Sequence, residues 1–418
     1  MRKNISSDIL RELPMTVDPR KPARDHMFFA WFIAAAVAVW CLSRYCFTAP
    51  VWSEERGWVE IGEAMARGER SAIITPKSDY PSSFQVVPIA LLIARGVDSR
   101  VASRTVALAY ALVMSFFLVR IARHISGPDE ILGVVVTVTA VTSYWTLLPC
   151  SLGWHEISHV GAIGSALTYF LLRLMDNSTA LTRHAIALGA LLGLSFWTLY
   201  TPALMGGAIL MSLVLALVQG KVSRKHALVA TLCMMITMIP FVRALSSHGG
   251  SWFDRHHSWF VLGGDWPNQQ YRPEFTLGEA VWRGIQEVAR QSAPFGASRE
   301  GGVPQAVGIF PEYPLVFAAI VGLVWGIPRK RFLVLILPAI VSVVGLLLSN
   351  ASLSPWRMNI LGIHLLLIAT VGYAALSRRF SSWRVYGLCA LTLVLVQGVM
   401  FAWQAEQGAL LFSKVFGG

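Results

Sequence analysis

Long apolar stretches recur along almost the whole chain, and they limit what it can fold into. Eleven of them, each 14 to 21 residues long, lie near residues 27–47, 102–122, 131–149, 158–174, 185–200, 203–219, 227–245, 314–327, 332–349, 358–376 and 385–403. A helix needs about 20 apolar residues to cross the hydrocarbon core of a bilayer. The pattern therefore predicts an all-α fold, a polytopic membrane helix bundle with about eleven transmembrane helices.

The composition excludes an ordinary soluble domain. Charged residues make up 14% of the 418 residues and hydrophobic residues 55%, whereas soluble domains carry about 25% charged residues. The formal net charge of +12 is explained by loop topology, so we expect no nucleic-acid partner. The cysteines lack C-x-x-C spacing and are interpreted as small apolar residues; they are Cys41, Cys46, Cys150, Cys233 and Cys389.

Basic residues mark every second connection between the apolar stretches. After the N-terminal tail they are Arg120/Arg123, Arg173/Arg183, Lys221/Arg224/Lys225, Arg329/Lys330/Arg331 and Arg378/Arg379/Arg384. Because cytoplasmic loops collect Lys and Arg, these connections are predicted to be cytoplasmic. Residues 1–26 then form a cytoplasmic tail, and residues 27–418 form one transmembrane domain with long outer loops at 48–101 and 246–313.

Both long outer loops carry signals for the membrane surface. In the first loop we expect an interfacial helix near 58–68, followed by an apolar stretch, 84–95, that is too short to span. The second loop mixes polar residues with aromatic ones, which suit the depth of the lipid headgroups; they are Trp252, Trp259, Trp266, Tyr271 and Trp282.

A short motif, GWHEISHV at 153–160, contains His155, Glu156 and His159 in H-E-x-x-H spacing. On a helix, residues four apart share a face, so two imidazoles could hold a zinc ion while the glutamate activates water. The motif therefore allows a divalent metal site. A zinc protease also needs a third protein ligand, and the later apolar stretches contain no Asp or Glu. That ligand would have to come from a loop residue such as Asp254, Asp265 or Glu312.

An acidic pair follows the first apolar stretch, in VWSEERGWVEIGEAMARGE at 51–69. The pattern Glu54-Glu55-x-x-Trp58-x-Glu60-Ile61 resembles the first outer loop of the GT-C membrane glycosyltransferases, of the protein O-mannosyltransferase and lipid A aminoarabinose transferase type, which usually has Asp in first place. SDYPSSFQVVPIALLIARGVDSRVASRTVALAYAL and ALGALLGLSFWTLYTPALM are also similar to that family. We expect no counterpart of the extra soluble domain that longer members of that family carry.

The resemblance implies an enzyme that moves a sugar from a polyprenyl-phosphate donor to a lipid, polysaccharide or protein acceptor, with inversion. It implies Glu54 as the catalytic base, Glu55 as a residue that orients it or shares the site, and Glu156 as a second acid in the cavity. An acceptor alcohol needs such a base because it reacts poorly until its proton is accepted. The active site would face outward from a prokaryotic inner membrane.

The donor's phosphate requires cations at the membrane interface. Arg357, at the start of the tenth apolar stretch, occupies a place where the family often has a phosphate-binding Arg or Lys. Lys77, Arg255 and His256, with the adjacent His257, are further candidates on the outer side. Headgroup contact is an equal alternative for Lys77 and Arg255, and a role outside phosphate binding is favoured for His256 and His257.

Two other classes remain open beside the transferase. A transporter or flippase of a lipid-linked substrate would carry ionisable residues in mid-span, and the clearest one here, His364, is expected to be hydrogen-bonded inside the bundle. A scaffold protein of the membrane is the other alternative. The acidic residues lie in outer loops instead, and this distribution favours an active site at the membrane interface.

Overall fold

The computed structural model describes residues 36, 53–69, 83–127, 129–143, 155–176, 181–197, 200–247, 282, 313–326, 333–347, 355–379, 382, 383, 385–387, 389 and 392. Every regular element among these residues is helical. In chain order they are α1 Ser53–Ala66, α2 Ser83–Ile93, α3 Ser99–Ser126, α4 Glu130–Thr142, α5 His155–Met175, α6 Leu181–Ser195, α7 Tyr200–Val218, α8 Arg224–Ser247, α9 Tyr313–Gly326, α10 Leu333–Leu347 and α11 Pro355–Arg379. The prediction of an all-α bundle is confirmed.

Helices α3 to α11 coincide with nine of the predicted spans. By length and composition, Ser99–Ser126 and Arg224–Arg243 can each cross a membrane, and shorter apolar stretches of 10–17 residues lie within α4, α5, α6, α7, α9 and α10. The fifth and sixth spans are separate helices, because α6 ends at Ser195 and α7 begins at Tyr200. The predicted spans 27–47 and 385–403 lie outside the described residues, apart from isolated positions.

The two short helices of the first outer loop occur close to where the sequence predicts them. Helix α2 matches the apolar stretch 84–95, but α1 begins five residues before the predicted interfacial helix. The acidic pair therefore lies inside the first turn of α1 rather than ahead of it. Carboxylates are favourable there because they oppose the positive end of the helix dipole.

Helix α5, which begins with the H-E-x-x-H motif, lies between the two halves of the core. One half combines side chains of α3, α4, α9 and α11 with Val160 and Leu172 of α5. The other half packs Ile163, Leu167 and Leu171 of α5 against α6, α7 and α8. Ile163, Leu167 and Leu171 are spaced four apart and so share one helical face, and through its buried side chains α5 joins the two halves.

The face of α8 that points away from the bundle is apolar and exposed. Its members recur at helical spacing, with 49 to 63% of each side chain accessible; they are Leu228, Leu232, Met235, Ile236, Ile239 and Val242. A continuous apolar face of this kind would be unfavourable in water. It is the face that a membrane helix turns toward lipid.

Glycines bring two pairs of helices into backbone contact. A Cβ added at Gly372 of α11 would overlap the carbonyl of Ala318 on α9, and one at Gly322 of α9 would overlap the carbonyl of Ile368 on α11. Gly189 of α6 lies in the same way against the backbone of α8. Small residues at helix crossings permit this close approach in membranes, where van der Waals packing holds helices together.

The α9–α11 crossing gives a stability prediction. Gly372→Ala places a methyl group against the Ala318 carbonyl, and we expect overpacking to cost about 1–3 kcal/mol and to lower the thermal unfolding midpoint in detergent by several degrees. Gly207→Ala is the matched control, because nothing lies within 4 Å of its added Cβ. Equal midpoints for the two variants would show that α9 and α11 do not approach this closely.

Candidate functional site

The acidic pair lies at the start of α1, and its second member is held by an ion pair. The Glu55 side chain is fully buried and accepts two hydrogen bonds from the guanidinium of Arg104 on α3. Nε lies 3.0 Å from Oε1, and Nη2 lies 2.9 Å from Oε2. This is the two-pronged geometry that gives an Arg–carboxylate pair its directionality.

Burial makes this ion pair costly to break. The side chains of Arg104 and Glu55 are 1% and 0% exposed, so each charge depends on the other for the stabilisation that water would otherwise supply. Glu55 is thereby fixed between two helices. Of its two expected roles, orienting the site and sharing in the chemistry, the contact favours the first. Glu54 occupies the same helical turn, and its side chain lies outside the described residues.

Arg104 was not singled out from the sequence, although it lies within the segment SDYPSSFQVVPIALLIARGVDSRVASRTVALAYAL that is similar to the GT-C family. The sequence feature that could have identified Arg104 is its position on the buried face of α3. Ala107 and Ala111 follow it at helical spacing and are buried with it. A charged residue on an otherwise apolar buried face needs a partner. The sequence does not show which of the acids supplies it, because Glu55 is 49 residues away.

An apolar cluster beneath the ion pair joins the first three helices. Trp58 and Ile61 of α1 pack with Val86 and Ile89 of α2 and with the buried start of α3. Gly62 of α1 permits close contact, because an added Cβ would lie 2.9 Å from a methyl carbon of Ile89. The helix that carries the acidic pair is thus fixed to the membrane bundle rather than lying loosely on its surface.

The H-E-x-x-H motif forms the first turns of α5, beside α3. His159 is fully buried, and its ring lies edge-on to that of Tyr110, with 5.9 Å between the centroids. The side chains of His155 and Glu156 lie outside the described residues, although their backbones belong to α5. Within the described part of the chain, no three His, Cys, Asp or Glu side chains are grouped closely enough to share a metal ion.

Helices α3, α5 and α11 meet at one level of the bundle and run in the same direction. Met114 of α3 and Ile363 of α11 both lie against Gly161 of α5. At the other end, Arg378 of α11 donates a 3.2 Å hydrogen bond to the carbonyl of Ile125, near the end of α3, and Arg173 of α5 lies 3.3 Å from His124 of α3. The N-terminal ends of the three helices therefore lie at the same end of the bundle.

The common direction brings several predicted site residues to similar depths. A helix rises about 1.5 Å per residue, so the backbones of Glu156 and Arg357 lie about 8 and 9 Å beyond the level of Gly161. Arg104, bonded to Glu55, lies about 12–15 Å beyond that level. We call Glu55, Arg104, Glu156 and Arg357 the N-terminal layer. The backbones of Arg104, Glu156 and Arg357 lie within about 8 Å of one another in depth, and Glu55 belongs to the layer through its contact with Arg104.

The other predicted site residues fall outside the described part of the chain. Lys77 belongs to the first outer loop, and Arg255, His256 and His257 belong to the second. Arg357 is the third residue of α11, and its side chain also lies outside that part. Its placement in the N-terminal layer rests on the helix backbone alone.

The fold has counterparts among solved structures, although no protein-family model and no curated protein matches the sequence. ArnT from Cupriavidus metallidurans in the apo state matches with a TM-score of 0.57 and 15% identity, over 91% of this chain and 75% of that chain. The same protein bound to undecaprenyl phosphate gives 0.52 and 14% over the same shares. An oligosaccharyltransferase from Archaeoglobus fulgidus gives 0.54 and 11%, over 91% of this chain and 53% of that chain. The chain therefore has the GT-C fold that its sequence predicts.

The ion pair between Glu55 and Arg104 can be tested by single and double substitution. Arg104→Met removes the ion-pair partner of the buried Glu55 carboxylate, and we expect the free energy of unfolding to fall by about 3–5 kcal/mol. Glu55→Leu combined with Arg104→Met removes both charges and should recover much of that loss. The measurement is unfolding of the detergent-solubilised protein followed by tryptophan fluorescence.

The exposed pair Arg67–Glu69, whose side chains are 57% and 56% exposed, supplies the control. Arg67→Met should leave the unfolding transition unchanged, because surface ion pairs contribute little. If Arg104→Met were equally harmless, or if the double variant were less stable than the single one, the buried pair would not hold α1 to α3.

Proposed function

We propose that this protein is an inverting glycosyltransferase that moves a sugar from a polyprenyl-phosphate donor to an acceptor hydroxyl of a lipid, polysaccharide or protein. The reaction would take place at the outer face of a prokaryotic inner membrane. The observation that carries the proposal is the N-terminal layer, in which carboxylate and guanidinium residues gather at one end of a bundle with the GT-C fold. One solved structure with that fold is of a protein bound to undecaprenyl phosphate.

The proposed reaction needs one base and one set of cations. The acceptor oxygen attacks the anomeric carbon of the sugar from the side opposite the phosphate, while its proton passes to the base. The bond between the anomeric carbon and the phosphate oxygen breaks, and the polyprenyl phosphate leaves with the bonding electrons. We assign the base to Glu54, because the family resemblance implies this role for it and because it is next to Glu55, which Arg104 fixes in place.

Glu55 and Arg104 act in this scheme as positioning residues. Their two hydrogen bonds and the apolar cluster of α1, α2 and α3 fix the first turn of α1. A base held in one place loses less entropy when the acceptor binds, and such positioning contributes substantially to catalysis. Glu156, at the start of α5, is assigned as the second acid of the same cavity.

Arg357 is assigned to the phosphate of the donor, with Lys77, Arg255 and His256 as additional cations. A guanidinium suits this task because its planar array of N–H donors matches phosphate oxygens. It would stabilise the charge that grows on the phosphate as the glycosidic bond breaks. The start of α11 supports this assignment, since its backbone lies in the N-terminal layer.

Binding of a divalent ion by His155, Glu156 and His159 is a separate proposal. The two imidazoles are one helical turn apart, as ligands of the same metal ion on one helix must be. The His159 ring, however, is enclosed between helices against Tyr110. Metal analysis of the purified protein before and after chelation tests this proposal independently of the transfer reaction.

A transporter receives less support from the described residues. Glu55 and Arg104, which are the buried acid and the buried arginine of those residues, lie toward one end of the bundle. A path across the membrane would place such groups in mid-span. Their position agrees better with chemistry at the membrane interface.

Removal of the base gives the functional prediction. Glu54→Gln keeps the size of the side chain but cannot accept the acceptor's proton, so transfer should fall by about 10²–10⁴-fold. Binding of undecaprenyl phosphate should be unchanged. The measurements are mass spectrometry of surface glycans from cells that express each variant, and lipid binding by the purified proteins.

Glu69→Gln is the matched control, because Glu69 is an exposed carboxylate just beyond the end of α1. It should leave the glycan profile as in the unmodified protein. A normal profile with Glu54→Gln would refute Glu54 as the base, and an identical profile in cells lacking the protein altogether would refute the proposed function.

A further inference from the structure

A polar contact between two membrane helices lies in the interior of the bundle, away from the N-terminal layer. His364 of α11 is 2% exposed, and its Nε2 lies 2.8 Å from the Oγ of Ser342 on α10. Ser342 is fully buried. His364 is therefore hydrogen-bonded inside the bundle, as the sequence analysis expects, and the bond joins two helices.

This contact is expensive to maintain in an apolar interior. The other ring nitrogen of His364, Nδ1, is buried without a hydrogen-bond partner among the described residues. Burying an imidazole with one nitrogen unsatisfied costs free energy that an apolar side chain would not. Buried polar groups that incur such a cost call for an explanation beyond packing.

The backbone hydrogen bonding of α10 is interrupted near this contact. Pro338 lies inside α10, one turn before Ser342, and a proline both lacks the N–H of the helix ladder and crowds the preceding turn. The hydroxyl of Ser342 bonds to α11 instead of turning back on its own helix. The contact thus ties α10 to α11 directly after the interruption.

Helix α11 is fixed by different means along its length. Its C-terminal half packs backbone to backbone on α9 at Gly372, and Arg378 bonds to the end of α3. His364 lies at the boundary between this half and the N-terminal half. Position 357 is seven residues before it, which is two turns or about 10.5 Å along the same face.

We propose that the hydrogen bond between Ser342 and His364 sets the placement of the N-terminal half of α11, and so makes His364 a positioning residue for Arg357. The inference rests on the proposed function, in which Arg357 binds the phosphate of the lipid donor. Contacts at Gly372 and Ile363 hold α11 against α9 and α5, and the hydrogen bond at His364 adds an attachment to α10. Loss of that attachment would let the part of α11 before His364 shift, and a small shift there would move Arg357 away from the phosphate.

The test measures the dissociation constant of undecaprenyl phosphate for the full-length protein in detergent. Ser342→Ala and His364→Phe each remove the hydrogen bond, and His364→Phe retains a ring of similar size. The free energy of a hydrogen bond between membrane helices corresponds to a factor of about three to fifteen in a dissociation constant. We expect both variants to bind undecaprenyl phosphate more weakly by about this factor. His364→Gln, whose side-chain amide can replace Nε2, should restore most of the affinity.

Thr370→Val is the matched control. Thr370 is buried in the same helix, but its hydroxyl donates to the carbonyl of Leu366 within α11, at 2.7 Å. Its substitution should leave lipid affinity unchanged. The thermal midpoint of each variant is measured in parallel, and if His364→Phe does not fold, the comparison of Ser342→Ala with Thr370→Val decides.

A double-variant cycle with Arg357→Ala separates positioning from general packing. If His364 acts through Arg357, adding Ser342→Ala to Arg357→Ala causes no further loss of affinity. A further loss equal to that of the single variant overturns the inference, because His364 would then act elsewhere.

The same cycle distinguishes two kinds of failure. If Arg357→Ala weakens binding while Ser342→Ala and His364→Phe bind like the unmodified protein, the positioning role is refuted and the proposed function stands. If Arg357→Ala itself binds normally, the assignment of Arg357 in the proposed function is refuted, and the inference drawn from it is refuted as well.

Discussion

The buried ion pair between Glu55 and Arg104 is the contact on which the candidate site depends. Burying a carboxylate in an apolar bundle is unfavourable, because removing its charge from water costs free energy that only a well-aligned partner offsets. Here the partner comes from the first membrane helix of the described bundle, and its two hydrogen bonds are short and parallel. The ion pair attaches α1 to the bundle and thereby fixes the backbone position of the neighbouring Glu54.

The common direction of α3, α5 and α11 brings the other residues of the N-terminal layer to the same end of the bundle. Because α3, α5 and α11 are parallel and meet around Gly161, the residues that begin each helix share one end of the bundle. Arg104, Glu156 and Arg357 are far apart in sequence, yet they occupy one layer. A carboxylate base and a phosphate-binding cation are the groups that the proposed sugar transfer requires.

Much of this arrangement could be predicted from the sequence, for reasons that are physical. Hydropathy located nine described helices, because a membrane span needs a long apolar run. The alternation of basic connections predicts that the second, fourth and tenth spans, which are α3, α5 and α11, run in the same direction. It does not predict that they are neighbours, since adjacency depends on packing around residues as ordinary as Gly161 and Met114.

The sequence failed where a local signal was missing. The start of α1 was placed five residues late, because a pair of glutamates after a span resembles a solvated loop as much as a first helical turn. Arg104 was overlooked because its partner is 49 residues away. The bond between Ser342 and His364 was expected only in part: His364 was predicted to be hydrogen-bonded, but its partner on α10 follows from the fold.

We propose that the phosphate of the lipid donor binds at the N-terminal layer, and photocrosslinking tests this binding. A polyprenyl phosphate with a photoreactive group next to the phosphate is bound to the purified protein and irradiated, and the crosslinks are mapped by mass spectrometry. We expect crosslinks to the first turns of α1, α5 and α11, around Glu54, Glu156 and Arg357, that excess undecaprenyl phosphate abolishes. Competed crosslinks confined to the opposite end, around Arg123 and Arg378, would contradict it.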